Sequence, residues 1–338
     1  MKFSIIIPIY NRSLFIDETL SGILNQTYAD IEIICVDDCS TDESLQKIES
    51  YAVKDNRIKV ISHSKNLGPH CARQTGVSNA SGDYILFLDC DDVLEVFACS
   101  FLHSILSETD YDVLEFAYKH KKTKTVSLPV PFITINNFFD SLVYFKNPRA
   151  GTVWNKVYKK ELLQKAFSKM QSFYSVMGED LYESVIIAYY AKSYTFINAP
   201  LVLYNDESGI SNKKNDLSSV KKSLDSIKAN LDAFSFFFNT HAGENTDAVL
   251  YIERQYLKYI FYIQILMNTQ KKDWRVSLNL LSGCFSEDTL LPYEKKINKT
   301  QLSLYLELIK YKINIFLRQL MPYRLKKIIK DLYANFCA

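Results

Sequence analysis

The chain has 338 residues, 40 Lys and Arg against 38 Asp and Glu, and a formal net charge of +2. That balance gives no electrostatic footprint for nucleic acid, and an apolar content of 48% fits a globular protein with a sizeable core. The cysteines, odd in number and without a C-x-x-C pair, point to a reducing cytosol rather than a disulfide framework.

The opening "MKFSIIIPIYN" has a short apolar run before Pro8, unlike the longer core of a secretory signal, so no leader is expected. Phe3 to Tyr10 reads as a buried strand. Leu14 to Asn25 follows as a helix, with Phe15, Ile16, Leu20, Ile23 and Leu24 at helical spacing. Ile31 to Asp38 is a second strand, and Ser40 or Thr41 is expected to cap the helix after it. Ile58 to His63 is a third strand, and His70 to Ala80 a helix. Tyr84 to Leu88 is a fourth strand, apolar throughout and therefore covered on both faces.

Alternating strands and helices imply right-handed crossovers and a mostly parallel sheet flanked by helices. Ligands of such sheets bind at the carboxyl ends of the strands. Here those ends carry "YNR", "DDCS", "KNLG" and "DCDD", four polar clusters on one edge. Further on, "YDVLEFAY" reads as a strand and "KHKKTKTV" as a basic loop or hairpin. Gly151 to Leu163 runs into a helix, Gly178 to Ala191 is a helix, and "YTFINAPLVLYN" supplies one or two strands. The composition changes near residue 215. An α/β domain over 1–215 and a helical region over 216–338 are expected. The segment Tyr256 to Met267 is about half the roughly 20 residues a membrane span needs, so no transmembrane helix is expected.

Chemistry concentrates in "GDYILFLDCDD". Asp89, Asp91 and Asp92 repel one another in a partly dry site unless a cation neutralises them. Hard divalent cations take carboxylate oxygens, and a nucleotide diphosphate can complete the shell. An acid at the end of strand two, Asp37 or Asp38, suits the sugar edge of a nucleotide. Glu179 and Asp180 open a helix, where the N-terminal dipole is expected to lower a carboxylate's pKa and keep it ionised. Neither a P-loop nor a G-x-G-x-x-G fingerprint occurs, which argues against a P-loop or dinucleotide enzyme.

"SIIIPIYNR", "EIICVDDCSTDES", "NLGPHCARQTGVSNASGDYILFLDCDD", "VWNKVYKKELL" and "GED", in this order, resemble the inverting GT-A-fold glycosyltransferases of family 2 over roughly Lys2 to Ser211. The resemblance implies a GT-A catalytic domain that moves a sugar from a nucleotide donor, expected to be UDP-linked, to a glycan or lipid-linked saccharide acceptor. It implies Mn²⁺ or Mg²⁺ on Asp91, shared with Asp89, which also lies near the donor ribose, and supported by Asp92. It places Pro8, Tyr10, Asn11, Arg12, Asp38, Asn66, Arg73, Asp89 and Cys90 in the nucleotide-sugar site. Asp38 meets the base, Tyr10 stacks on it, and Arg12 reaches toward the diphosphate. Asp180 is the implied base for the acceptor hydroxyl, with Glu179 the second choice. Trp154 is a candidate platform for a sugar and Lys156 a candidate partner for a phosphate.

Two departures stand out. Relatives often supply a late His to the metal, and none occurs here between His120 and His241. Where they carry a basic residue before a Ser-Ile-Ser-like turn, this chain has Asp206 and Glu207. Capsule or lipooligosaccharide is the implied pathway, on the cytoplasmic side. The basic amphipathic stretch Leu308 to Tyr333 suits peripheral contact with the inner membrane surface, or else docking on its own domain. A rival reading, a nucleotidyltransferase, lacks its Gly-rich basic loop after strand one. The other alternative is a catalytically silent scaffold that binds glycan or nucleotide.

Overall fold

The computed structural model describes residues 1–129, 134–143, 151–206, 217–242 and 246–259, with positions 281, 285 and 290. The strands are β1 (Phe3–Ile9), β2 (Ile31–Asp37), β3 (Ile58–Ser62), β4 (Tyr84–Phe87), β5 (Val93–Leu94), β6 (Val113–His120), β7 (Val126–Ser127), β8 (Lys156–Lys159) and β9 (Tyr194–Tyr204). The helices are α1 (Ile16–Leu24), α2 (Ser44–Ala52), α3 (Pro69–Asn79), α4 (Ala98–Leu106), α5 (Ile135–Val143), α6 (Lys160–Phe167), α7 (Glu179–Tyr190), α8 (Leu217–His241) and α9 (Thr246–Tyr259).

The strands form one sheet in the order β3-β2-β1-β4-β8-β6-β9-β5, with β7 paired to β6. β1 runs parallel to β2 and β4, and β2 parallel to β3, as the alternating pattern predicts. β8 then enters antiparallel between β4 and β6, which returns β6 to the direction of β4. The carboxyl ends of β1, β2, β3, β4, β6 and β9 therefore share one edge. The basic segment after β6 is a hairpin, with Tyr118 opposite Ser127. β8 and β5 are short strands that the sequence reading did not separate from their surroundings.

Alternate residues divide the sheet into two cores. Ile6, Ile34, Ile85 and Phe87 face one side, where α3, α6, α7, α8 and α9 pack through residues such as Ala72, Leu163, Ile186, Phe234 and Ile252. Ile5, Ile7, Ile33 and Leu86 face the other, under Ile16, Leu20, Ile48 and Leu102 of α1, α2 and α4. Both faces are covered, which is why these strands read as unbroken apolar runs. On β2, Glu32 closes the edge opposite the ligand side. Its Oε1 accepts from Ser4 Oγ at 2.5 Å and from Ser81 N at 2.6 Å, fixing the turn into β4.

The expected cap of α2 is replaced. The helix begins at Ser44, and its N-cap position has no side-chain cap bond. Ser40 instead accepts from the backbone N of Asn11.

Candidate active site

The first wall of the site is built where β1 and β2 end. Asn11 takes a left-handed conformation, φ 52°, open to a short polar side chain. Its Oδ1 accepts from Thr41 N at 2.8 Å and Asp42 N at 3.3 Å, and Arg12 N donates to Ser44 Oγ at 2.8 Å. Asn11 thus stitches two strand-end loops together. Tyr10 stays 44% exposed on this wall, and Pro8 is partly buried within β1. Arg12 reaches over the edge to Asp91, at 3.8 Å.

Asp38 is buried and its carboxylate is engaged. It accepts from Leu67 N at 2.9 Å and Gly68 N at 2.7 Å, and pairs with His63 Nδ1 at 2.7 Å. Its work in this geometry is to shape the β3–α3 turn that lines the pocket. Asn66 assists, its Oδ1 accepting from Gly68 N at 3.1 Å. Gly68 is held at φ +87°, and a Cβ there would sit 2.8 Å from the Ser175 carbonyl oxygen. The turn therefore both needs glycine and packs directly on the segment leading to α7.

Arg73, on α3, is the centre of the site. It is 2% exposed and faces four carboxylates: Asp180 at 2.6 Å, Glu183 at 3.1 Å, Asp89 at 3.6 Å and Glu179 at 3.9 Å. This guanidinium supplies the resident cation that the crowded acids require. It joins the acids after β4 to those opening α7. Behind it, Glu183 Oε1 lies 2.8 Å from His70 Nδ1, both fully buried. His70 Nε2 faces the Gln171 carbonyl oxygen at 3.0 Å, an atom that only accepts, so Nε2 carries a hydrogen. Neither His70 nor Glu183 was picked out in the sequence. The signal available was their place in "GPHCARQ" and in "GEDLYE", one turn from residues that were.

Burial reverses the expected direction for the helix-opening acids. Desolvation raises the pKa of Asp180, against the pull of Arg73. It raises Glu179 to about 8, with Asp180 adding to the rise. The dipole of α7 does not outweigh desolvation here. Asp180 nonetheless keeps 30% of its side chain exposed.

Among the acids after β4, Asp89 and Asp91 look into the site while Asp92 does not. Asp89 is 37% exposed at its side chain, and burial lifts its pKa to about 6. Asp92 is buried: its Oδ1 accepts from Asn205 N at 2.7 Å, and its backbone oxygen accepts from Thr19 Oγ1. It locks the strand end to the end of β9, and burial pushes its carboxyl well above the usual range. Among the described residues no group of three or more His, Cys, Asp and Glu is poised to hold a metal. Asp89, 37% exposed, and Asp91, 12% exposed beside Arg12, are carboxylates of the kind that fits a hard divalent ion whose remaining ligands come from a diphosphate and water. A cation there would also restore the ionised form that burial disfavours in Asp89.

Three sequence candidates are placed differently from expectation. The Lys156 ammonium is fully buried on Thr152 O at 2.6 Å and Asn155 Oδ1 at 3.0 Å, with Glu115 at 3.7 Å, so it is not presented to a phosphate. Trp154 is 6% exposed, its ring stacked on Tyr204 at 4.9 Å and met edge-on by Tyr118, so its face is covered. Cys90 points its thiol into the apolar core and offers the site only backbone.

Residues 4–167 match the family described as "Glycosyl transferase family 2". A putative glycosyltransferase, EpsH, of Bacillus subtilis is 31% identical over 208 residues, 60% of this chain and 60% of that protein. A cholesterol galactosyltransferase of Borreliella burgdorferi is 32% identical over 212 residues, 58% of each. The chain thus spans about three-fifths of the length of these relatives. In fold, it superposes on S. aureus TarS 1-349 in complex with UDP-GlcNAc with a TM-score of 0.61 at 21% identity, covering 84% of this chain and 80% of that one. The mannosyltransferase PcManGT from Pyrobaculum calidifontis, in complex with GDP-Man and Mn²⁺, gives a TM-score of 0.51 at 15% identity, covering 94% and 84%. The curled mixed sheet with its flanking helices is the GT-A fold.

Proposed function

We propose that this chain, which carries a family 2 glycosyltransferase domain over residues 4–167, is an inverting, metal-dependent transferase. It moves a sugar from a nucleotide donor, UDP-linked, to a hydroxyl of a bacterial surface glycan such as capsule or lipooligosaccharide. The observation that carries this reading is Arg73, which holds the acids of the donor edge and the acids of α7 on one guanidinium. Donor chemistry and proton removal are thereby brought to one place.

In this reading Asn11, Asp38 and Asn66 shape the donor pocket, with Tyr10 as the wall for the base. Asp89 and Asp91 would hold Mn²⁺ or Mg²⁺, which when bound neutralises charge developing on the leaving diphosphate. Asp180 accepts the proton of the attacking hydroxyl, and its burial-raised pKa makes it a stronger base than a solvated carboxylate. Arg73 aims Asp180 and keeps its ionised form accessible. Glu179, raised to about 8, holds its proton near neutrality and is the second choice for the role.

The catalytic domain is taken to end near residue 215, ahead of α8. No helix among the described residues is long and apolar enough to cross a membrane. Action at the cytoplasmic face, through the basic stretch Leu308 to Tyr333, belongs to the proposal; that stretch lies outside the described residues.

A panel of nucleotide sugars with Mn²⁺, following release of the nucleoside diphosphate, tests the reading. Turnover of one donor, lost in Asp91→Ala and in Asp180→Asn, supports it. Tight nucleotide binding with no turnover of any donor, in the presence of candidate acceptors, favours the silent scaffold.

A further inference from the structure

The segment 171–178 connects the donor side of the site to the candidate base. On one side it rests on α3: Cys71 Sγ donates to Phe173 O, His70 pairs with Gln171 O, and Ser172 Oγ donates to Gln74 Oε1 at 2.6 Å. On the other it is gripped by the C-terminal helices. Asn230 of α8 is fully buried, and its Nδ2 donates to Ser175 Oγ at 3.0 Å and Met177 O at 2.9 Å. Ser226 Oγ, one turn earlier on α8, accepts from Val176 N at 3.2 Å. Tyr256 of α9 donates to the Gly178 carbonyl oxygen at 2.9 Å. Every residue from Ser175 to Gly178 is thus held by a side chain of α8 or α9.

Gly178 immediately precedes α7 and has φ +86°, so its conformation decides where Glu179 and Asp180 point. A Cβ on Gly178 would lie 2.8 Å from the Tyr256 ring. The hydroxyl of Tyr256, raised in pKa first by burial, is raised further by the charges of Glu179 and Asp180. A buried amide whose two N–H hydrogens are shared among Ser175 Oγ, Met177 O and Ser226 O, and a tyrosine seated on a left-handed glycine, are costly features for ordinary helix packing, which apolar contact alone would satisfy.

We infer that the C-terminal helices are part of the transfer machinery, with Asn230 and Tyr256 as positioning residues that set the Ser175–Gly178 turn and so aim Asp180 at the acceptor. This rests on Asp180 being the base. The two side chains touch neither donor nor acceptor; they act through the turn.

The test uses the full-length chain with Tyr256→Phe and Asn230→Ala, each checked for native unfolding cooperativity. Amide hydrogen exchange over 175–183 in nucleotide-free protein reads the turn directly. Exchange about tenfold faster there, with the amides of β1 and β2 unchanged, is expected for both variants. With the donor that the nucleotide-sugar panel selects, kcat is expected to fall about tenfold while the donor KM stays within about twofold. Unchanged exchange overturns the inference. So does faster exchange with an unchanged kcat, which leaves only a structural role. If a variant fails to fold, the other carries both readouts. Asp180→Asn run alongside separates the two ideas: full activity in that variant overturns the base assignment, while hydrogen exchange still decides whether α8 and α9 hold the turn.

Discussion

The Arg73 guanidinium lies 2.6 Å from the Asp180 carboxylate and 3.6 Å from that of Asp89, so a single buried cation ties helix α3 to both acid clusters of the site. Charges of one sign crowded into a dry pocket are tolerated only with such a counterion. The same ion opposes the burial that raises the pKa of Asp89, Glu179 and Asp180, so the side chain that the fold requires is also the one on which the proposed reaction depends.

Removing that cation strands the acids. Arg73→Met is expected to lower the unfolding free energy by about 3–5 kcal/mol, the cost of breaking a buried ion pair. Urea unfolding at pH 7 measures it. A loss below about 1 kcal/mol would show that the acids simply protonate, and that Arg73 is not what makes the cluster tolerable.

Glu179 makes a signed prediction for pH. Its pKa is raised from 4.5 to about 8, by burial first and by Asp180 second. The folded state therefore binds a proton that the unfolded state has released, and stability falls as pH rises between those values. In metal-free protein, the urea midpoint is expected to decline from pH 5 to pH 8.5. Glu179→Gln should flatten the decline. A wild-type profile rising through that range would contradict the assignment.

Glu32 has the opposite sign. Its partial burial works to raise the pKa, but hydrogen bonds from Ser4, Ser81 and Gly82 bring it down to about 2. Its contribution is present above about pH 4.5 and lost as pH falls toward 2. Glu32→Gln is expected to cost about 2–3 kcal/mol at pH 7 and little near pH 2. Equal losses at both pH values would mean that packing, not charge, is what the residue supplies.

The parallel half of the sheet was legible because β1 to β4 are buried on both faces and their polar ends stand out against apolar runs. The acids of the site were legible for the same reason. What could not be read was which of them a buried partner would claim. Asp38 and Asp92 have the same chemistry as Asp91 in sequence, yet backbone amides from Leu67, Gly68 and Asn205 occupy them. Those partners arrive from 29, 30 and 113 residues away, beyond any local pattern. Lys156 misleads for a related reason. A lysine normally lies outside, and only the insertion of β8 beside β6 places this one against Glu115. The short strands β5 and β8 have no periodicity of their own and are defined by their neighbours.

Lys156 separates a structural from a phosphate-binding role. Lys156→Met removes an ammonium that satisfies Thr152 O and Asn155 Oδ1 and faces Glu115. Stability is expected to fall by about 3 kcal/mol, since the Glu115 carboxylate loses its counterion. Calorimetric affinity for UDP with Mn²⁺ is expected to stay within about threefold, because no hydrogen bond to phosphate is removed. A drop of a hundredfold in nucleotide affinity, with stability intact, would return Lys156 to the diphosphate.

Gly178 carries two constraints at one position, and a single methyl group tests both. Its φ of +86° costs an alanine about 1–2 kcal/mol. The added Cβ also meets the Tyr256 ring at 2.8 Å, closer than the atoms can remain, so either the ring or the turn must move. The ring is fixed by its bond to the Gly178 carbonyl oxygen and by burial in the core, so the turn is the softer element. Moving it displaces Glu179 and Asp180 relative to Arg73. Gly178→Ala is therefore expected to lower transfer at least tenfold while nucleotide affinity, which the proposed reading assigns to the loops around Tyr10 and Asn11, changes little. Steady-state kinetics beside calorimetric binding would resolve the two. Equal losses in both would place the turn in the donor pocket rather than under the base.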